Sequence, residues 1–496
     1  MSTTRILAGY EPASVLSFFE DVCAIPHVSG DEKAIADYVE TFAKARGLFY
    51  YRDSVHNVFI KLPATEGHES APAVMLQGHT DMVGEKTADS THDFATDGLK
   101  LKVDDAGWIS ATDTTLGGDD GIAVAMMLAI LDNPPEPHPA IECLFTVSEE
   151  TGLEGAWAFD PVTAGATAHT MINLDSEAEG VITAGCSGGM RTDITIPAAC
   201  ESAEGIAVKI TLDGFTGGHS GVEIHEGHTN AIKAMGRILC TVTHSCDLCL
   251  VSLDGGGKDN AIPRSCTAVV TVRDEDCTAV CDVCLKEAEK LRAEPNMIPA
   301  DKDFICTVEV LPEAPAHMLD SEGTARILSL LSLVRDGVLS MSAHVKGLVA
   351  HSRNLGIVKT LHGEDGAPVA VKFSMSTRSA SNNHLDDSER ELEALAVICG
   401  GEATHRARYP GWDYAPVSPL RDLWTKVSEE LYGVTPTVEV IHAGLECGIL
   451  CDKLGEMDIV SVGPDMRDIH TPREMLSIPS VERAYRVVCE TIRHLA

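Results

Sequence analysis

Histidines and carboxylates recur in this chain directly after apolar runs, a placement that suits metal chemistry. AVMLQ leads into GHTDM, which offers His79 and Asp81. IECLFTV leads into SEETG with Glu149 and Glu150, HTMINL into DSE with Asp175, and DIVSVG into PDMRDIHTP with His470. In LGGDDGIAVA, Asp119 stands at the threshold of an apolar helix. Each has an ordinary explanation when taken singly. An Asp before a helix is usually an N-cap. TPRE, with Thr471, Pro472 at N1 and Glu474, reads as a capping box. A Glu-Glu pair in a loop is normally solvated. The coincidence is what these explanations miss. If the apolar runs are parallel strands, their carboxyl ends share one edge, where open α/β sheets bind ligands. Two His and three or four carboxylates at that edge are what a pair of zinc ions with one bridging carboxylate would need. GGHSGVEIHEGH adds His219, His225 and His228, whose role the stretch alone leaves open.

The elements that must position these groups alternate strand and helix at the start. Helix IAVAMMLAIL lies between the first two strands and is ended by DNPPEPHP, an α/β signature with a mostly parallel sheet. The last hundred residues return to this pattern with LRDLWTKVSEELYG, DIVSVG and SVERAYRVVCETIRHL. The middle instead reads as α+β, with strands MRTDITI, IAVKITLDGF, SCTAVVTVRD, DFICTVEVL and VAVKFSMST among four helices. The expected organisation is a catalytic domain in two parts, 1–186 and 400–496, interrupted by an inserted α+β domain at 187–399. That insert is long enough for two copies of a small β-α-β lobe, though no sequence repeat is evident.

Composition narrows the partners. The 496 residues hold 38 Lys and Arg against 75 Asp and Glu, a formal charge of −37 that repels phosphate backbones and anionic lipid. Nucleic acid and membrane are therefore not expected partners. Acidic residues are interleaved with apolar ones, as in a globular protein. MSTTRILAGYEPAS lacks an apolar core and a cleavage signature, and no later run is long enough for a bilayer, so the chain reads as cytosolic. The sixteen cysteines then read as reduced core residues. Cys277, Cys281, Cys284 and Ala288 fall on one helical face, while Cys246 and Cys249 fall on opposite faces of the strand CDLCLVSL.

The segments GHTDM, LGGDDGIA, SEETGLEGA, INLDSE, GGHSGVEIH, NAIPR, HAGLECG and SVGPDMRDIHTP, in this order, resemble those of the aminoacyl-histidine dipeptidase (peptidase D) family. That family belongs to the di-zinc superfamily with aminoacylases and glutamate-releasing carboxypeptidases. The resemblance covers nearly the whole chain and implies a catalytic domain split by a lid. By it, His79 and Asp175 hold one metal, Glu150 and His470 the other, and Asp119 bridges them. Glu149 matches the general base and Asp81 the carboxylate that orients the His79 imidazole. Asp120 replaces an Asn common in the group and is read as supporting. His219 is placed on the lid as the group stabilising the oxyanion, with His225 and His228 structural or solvated. Asn260 and Arg264 of NAIPR, and Arg378 of STRSA, match positions that hold the substrate's C-terminal half, for which an Arg fork suits a carboxylate. HAGLECG adds His442 and Glu446 as substrate-binding candidates, Glu446 for the free amine.

The function expected is a metal-dependent dipeptidase acting on Xaa-His and other dipeptides. It would carry two divalent ions (zinc, with manganese or cobalt as alternatives) and act as a cytoplasmic monomer or homodimer. The alternatives are an N-acyl amino acid deacylase or carboxypeptidase, and a non-catalytic binding protein on the same scaffold. The last would be expected to lack a ligand or the base, and this chain has all six.

Overall fold

The computed structural model describes residues 5–313 and 315–496, so the first four residues of MSTTRILAGYEPAS lie outside it. The chain forms two compact units, one of Met1–Cys186, Asp413–Val440 and Leu445–Ala496, the other of Ser187–Trp412 and Ile441–Gly444.

The first unit is built on eight strands: β1 (Phe49–Arg52), β2 (Val58–Leu62), β3 (Val74–His79), β4 (Ile141–Thr146), β5 (Thr170–Asn173), β6 (Val181–Cys186), β7 (Thr437–Ile441) and β8 (Asp458–Ser461). Their order is β1-β2-β4-β3-β5-β8-β6-β7. The central four, β4, β3, β5 and β8, are parallel. The flanks are antiparallel, because β1 turns straight back into β2 and β2 pairs antiparallel with β4. β3 and β4 are buried along their whole lengths, as the near-continuous apolar runs require. Helix Gly118–Asp132 is buried from Gly118 to Leu131. It packs on β3 and beneath helix Ala13–Cys23, which explains a sequence apolar on every face.

The second unit is a nine-stranded antiparallel sheet covered by helices. Strands Ile206–Asp213, Leu248–Gly255, Cys266–Val272 and Ile305–Val310, with helices Ala231–Val242 and Cys277–Arg292, form a β-α-β-β-α-β lobe. Strands Gly188–Pro197, Val349–His362, Pro368–Ser379 and Glu402–Tyr409, with helices Ser321–Leu333 and Asn382–Ile398, form another. In both, the spatial order is fourth, first, third, second strand. The second strands of the two lobes meet at Gly255 and Val358. The two first helices, Ala231–Val242 and Ser321–Leu333, pack together. The duplication invisible in the sequence is thus plain in the topology. The first lobe is threaded between the opening strand and opening helix of the other. Strand Glu402–Tyr409, on the far side of the boundary expected at 400, pairs with Gly188–Pro197 in this unit. Cys284 and Ala288 are buried in its core, and Cys277 and Cys281 pack against it. Among the described residues, no helix is long and apolar enough to cross a membrane.

Candidate metal centre

Sheet register carries the candidate ligands to one edge. His79 lies opposite Thr146 on β4, Gln77 opposite Asn173 on β5, and Ser461 of β8 opposite Asn173. The loops leaving these strands open on the same side and bring His79, Asp119, Glu149, Glu150, Asp175 and His470 together.

Asp119 divides them. Its Oδ1 lies 3.0 Å from His79 Nε2 and its Oδ2 lies 3.0 Å from His470 Nε2. His79 Nε2 is also 3.7 Å from Asp175 Oδ1, and His470 Nε2 is 2.8 Å from Glu150 Oε1. Two donor sets result, His79–Asp119–Asp175 and Asp119–Glu150–His470, and they share a single carboxylate. Asp119 does not cap the helix, because its side chain is spent on the two imidazoles and accepts no helix N–H.

The supports are as specific as the donors. Asp81 accepts from Glu149 N at 3.0 Å, Glu150 N at 3.3 Å and Ser29 Oγ at 2.8 Å, so one carboxylate shapes the Glu-Glu loop. Its other relation is to His79, whose Nδ1 lies 3.3 Å from Asp81 Oδ1. Asp120 accepts from His79 N at 3.1 Å. Glu474 corrects the capping-box reading, for no helix starts at Thr471. Its carboxylate instead accepts from the backbone N–H groups of Leu116, Gly117, Gly118 and Asp119, at 2.7 to 3.4 Å, and cradles the turn that presents Asp119. Ser148 and His470 have φ of 51° and 59°. This left-handed backbone costs a non-glycine residue energy and is typical of sites that fix a side chain's direction.

Below the edge lies a buried polar floor. Glu446 accepts from Gln77 Nε2 and Thr146 Oγ1, both at 2.6 Å, and Gln77 in turn accepts from Asn173 Nδ2 at 2.6 Å. Glu446 is fully buried with Oε1 unpartnered.

Packing so many carboxylates together has electrostatic consequences. Burial and neighbouring carboxylates push Glu149 up to about 8, and burial raises Asp175 well above its usual range. Hydrogen bonds to Asp119 and Glu150 raise His470 to about 10. Against its burial, Asp119 is held below the usual range by hydrogen bonds from His470 and His79. The donor set, imidazole nitrogen plus carboxylate oxygen around one shared Asp, fits divalent ions, whose charge would offset that of the carboxylates.

The remaining candidates lie in the second unit, except Glu446. His219 Nδ1 accepts from the N–H groups of Gly221 and Val222, both at 3.2 Å, leaving its proton on Nε2. Burial, then Arg378 and Arg191, lower its basicity, which keeps the ring neutral. His225 lies in a single 3-10 turn, Ile224–Glu226, and His228 Nε2 lies 3.2 Å from Glu226. Arg378 is only 6% exposed, donates to Tyr409 Oη at 3.3 Å and leaves Nε unpartnered. Arg264 is exposed and donates Nε–H to the Phe215 carbonyl at 3.1 Å, while the Asn260 carbonyl accepts from Ser220 N at 2.9 Å. His442 is held through both ring nitrogens, by Ser187 Oγ and Ser352 Oγ at 2.7 Å each, and burial lowers it to about 3. Sequence reasoning missed Glu474 as a support, and Tyr409, Ser187 and Ser352 altogether. It also missed Glu389, Glu393 and His405, whose donors converge in the second unit, although Arg408 already occupies Glu389 at 2.7 Å.

Comparison with known proteins gives the family. A family model described as peptidase dimerisation domain matches residues 210–313, and one described as peptidase family M28 matches 57–190. The cytosol non-specific dipeptidase of Escherichia coli is 33% identical, with 99% of each chain covered. The crystal structure of an aminoacylhistidine dipeptidase from Vibrio alginolyticus superposes with a TM-score of 0.91 at 34% identity, over 99% of this chain and 98% of that one. A tripeptidase structure from Staphylococcus aureus shares the fold at 17% identity and a TM-score of 0.56, with 98% and 99% covered. At a third identity over its whole length, the chain belongs to the metal-dependent dipeptidase family of the hydrolases, alongside these cytosol non-specific and aminoacylhistidine dipeptidases.

Proposed function

We propose that this enzyme hydrolyses Xaa-His and other unblocked dipeptides in the cytoplasm, using two divalent ions, zinc first and manganese or cobalt as alternatives. The observation that carries this is Asp119, whose two oxygens face two separate His-carboxylate sets. In this reading His79 and Asp175 hold one ion, Glu150 and His470 the other, and Asp119 both. When bound, such ions polarise the scissile carbonyl and make a water acidic enough to lose its proton near neutrality. Glu149 takes that proton and passes it to the departing amine, a role suited to a carboxyl whose surroundings lift it toward neutral pH. Asp81 and Asp120 orient His79, and Glu474 orients Asp119. His219, with Nε2–H free to donate, supplies a hydrogen bond to the oxyanion. Arg378 receives the substrate carboxylate, assisted by Asn260 and Arg264. His442, with both nitrogens engaged, is assigned to shaping that region, and Glu446 to fixing the floor beneath Glu149 rather than the free amine.

The first unit is assigned catalysis and the second the lid. Two lobes in one chain give the lid both halves of a paired arrangement, which favours an active monomer over a homodimer. The test is a panel of carnosine, Gly-His, Leu-Gly and N-acetyl amino acids on enzyme reconstituted with zinc or manganese, with released amino acid measured. Dipeptides are expected to be cleaved and N-acetyl amino acids not. Preferential release from the N-acetyl compounds would favour the deacylase alternative.

A further inference from the structure

The first unit contains a cavity of about 460 Å³ that the metal centre does not use. Its walls are mostly apolar, with Trp424, Val434, Val462, Ala484 and Val487 prominent. At its edge sit Glu179, Asp465 and Arg483. Arg483 presents Nε–H and one Nη2–H to the Glu179 carboxylate, at 2.5 and 2.6 Å. That fork leaves Nη1, which makes no hydrogen bond among the described residues, for a second carboxylate. Asp465 uses Oδ1 to accept from Glu179 N at 2.8 Å, and Oδ2 remains to meet an ammonium group.

We propose that this cavity binds a free apolar α-amino acid, with its side chain against Trp424, its carboxylate at Arg483 and its ammonium at Asp465. The size falls in the ordinary range for small-molecule pockets, and the lining has the usual apolar walls with a few converging polar groups. A zwitterion matches both signs of charge at the edge, where a fatty acid or a simple amine would match one. That such an amino acid is also a product of the reaction rests on the dipeptidase reading; the site itself does not.

Its position gives binding a consequence. Glu179 is four residues beyond Asp175, and Asp465 is five before His470. The two loops are joined by the Glu179–Asp465 bond and by Met466 N donating to the Glu177 carbonyl at 2.9 Å. They are so close that a side chain at Gly463 would collide with the Ser176 carbonyl. An occupant therefore braces the two loops that present one candidate ligand of each ion.

The test is calorimetric titration of metal-reconstituted enzyme with L-leucine, L-leucinamide and N-acetyl-L-leucine, with dipeptide hydrolysis followed separately. L-Leucine is expected to bind saturably, and the two blocked forms at least about tenfold more weakly, each having lost one charged contact. Ala484→Trp, which fills the cavity, and Asp465→Asn, which keeps its shape but removes the charge, should each weaken L-leucine about tenfold or more. If Ala484→Trp fails to fold, Asp465→Asn still decides. Absence of leucine binding at millimolar concentration overturns the proposal, as does binding unchanged in Asp465→Asn. Loss of dipeptide hydrolysis by the wild-type enzyme would instead count against the catalytic reading and leave this site standing.

Discussion

Glu149 and Glu150 are neighbours in sequence with different environments. Glu150 lies against His470, whereas Glu149 is pushed up by burial and then by the carboxylates around it. Glu149→Gln is expected to fold, keep both ions and lose kcat by at least ~10²-fold, the low end for removing a general base. Glu150→Gln should lose metal first, so excess zinc or manganese restores part of its activity and none of that of Glu149→Gln. Bound metal and rate, measured for both with and without added ion, decide the assignment; the opposite rescue pattern would exchange the two roles. Arg378→Ala should weaken free dipeptides far more than dipeptide amides, by roughly 1.5–3 kcal/mol for a lost charge-assisted hydrogen bond. Equal losses in KM for both substrates would make Arg378 a purely structural residue. That Glu149 and Glu150 join the donor cluster was legible in the sequence, because carboxylates just past a buried strand are conspicuous, whereas Arg378 was picked out only through the family resemblance. Glu474 was misread, because its partners lie some 355 residues earlier and only folding reveals them.

At the scale of elements, the turn from Leu116 to Asp119 is held by one buried carboxylate on a distant loop. Glu474→Gln keeps the shape but turns two acceptor oxygens into one acceptor and one donor, facing N–H groups that need acceptors. Metal affinity is expected to fall about 10–100-fold, the usual cost of losing a group that orients a ligand; unchanged affinity in a metal titration would refute the cradle. A second element-scale prediction concerns Asp336, which accepts from Leu355 N at 2.7 Å and Asn230 Nδ2 at 3.0 Å and so joins the start of one lobe's helix to the other lobe's strand. Burial raises its carboxyl to about 6. A carboxyl raised above its unfolded value of about 3.9 favours folding when protonated and loses that advantage as pH rises from about 4 through 6. Asp336→Asn should therefore gain stability relative to wild type by about 1–2 kcal/mol between pH 4 and 7. Denaturant titrations at the two pH values measure this, and a constant difference would remove Asp336 from the pH dependence.

Elements were unevenly legible for a physical reason. Strands with clean apolar runs were read correctly, whereas Val349–His362 carries Ser352, Arg353 and Asn354 in its middle, all buried. Arg353 is fully enclosed and paired with Glu391 at 3.0 Å. A buried polar triplet breaks the alternation that identifies a strand. Without that strand, the symmetry of the two lobes could not be seen.

For the whole molecule, the paired lobes carry a prediction about concentration. If one chain supplies both halves of the lid, activity per chain stays constant on dilution from micromolar to low nanomolar. A fall in specific activity that tracks dissociation by light scattering would instead require a second copy. The threading of one lobe through the other also bears on how the protein is made. Among the described residues, strand Gly188–Pro197 pairs only with Pro368–Ser379 and Glu402–Tyr409. It leaves the ribosome roughly 170 residues ahead of its first partner, which at ~5–20 residues per second is on the order of ten to thirty seconds. Through that interval the intervening lobe, whose strands and helices are local to one another, can complete its own sheet. The nascent strand meanwhile offers two unsatisfied edges to its surroundings, so new copies are most vulnerable to aggregation during synthesis, well before the candidate ligand His470 has been translated.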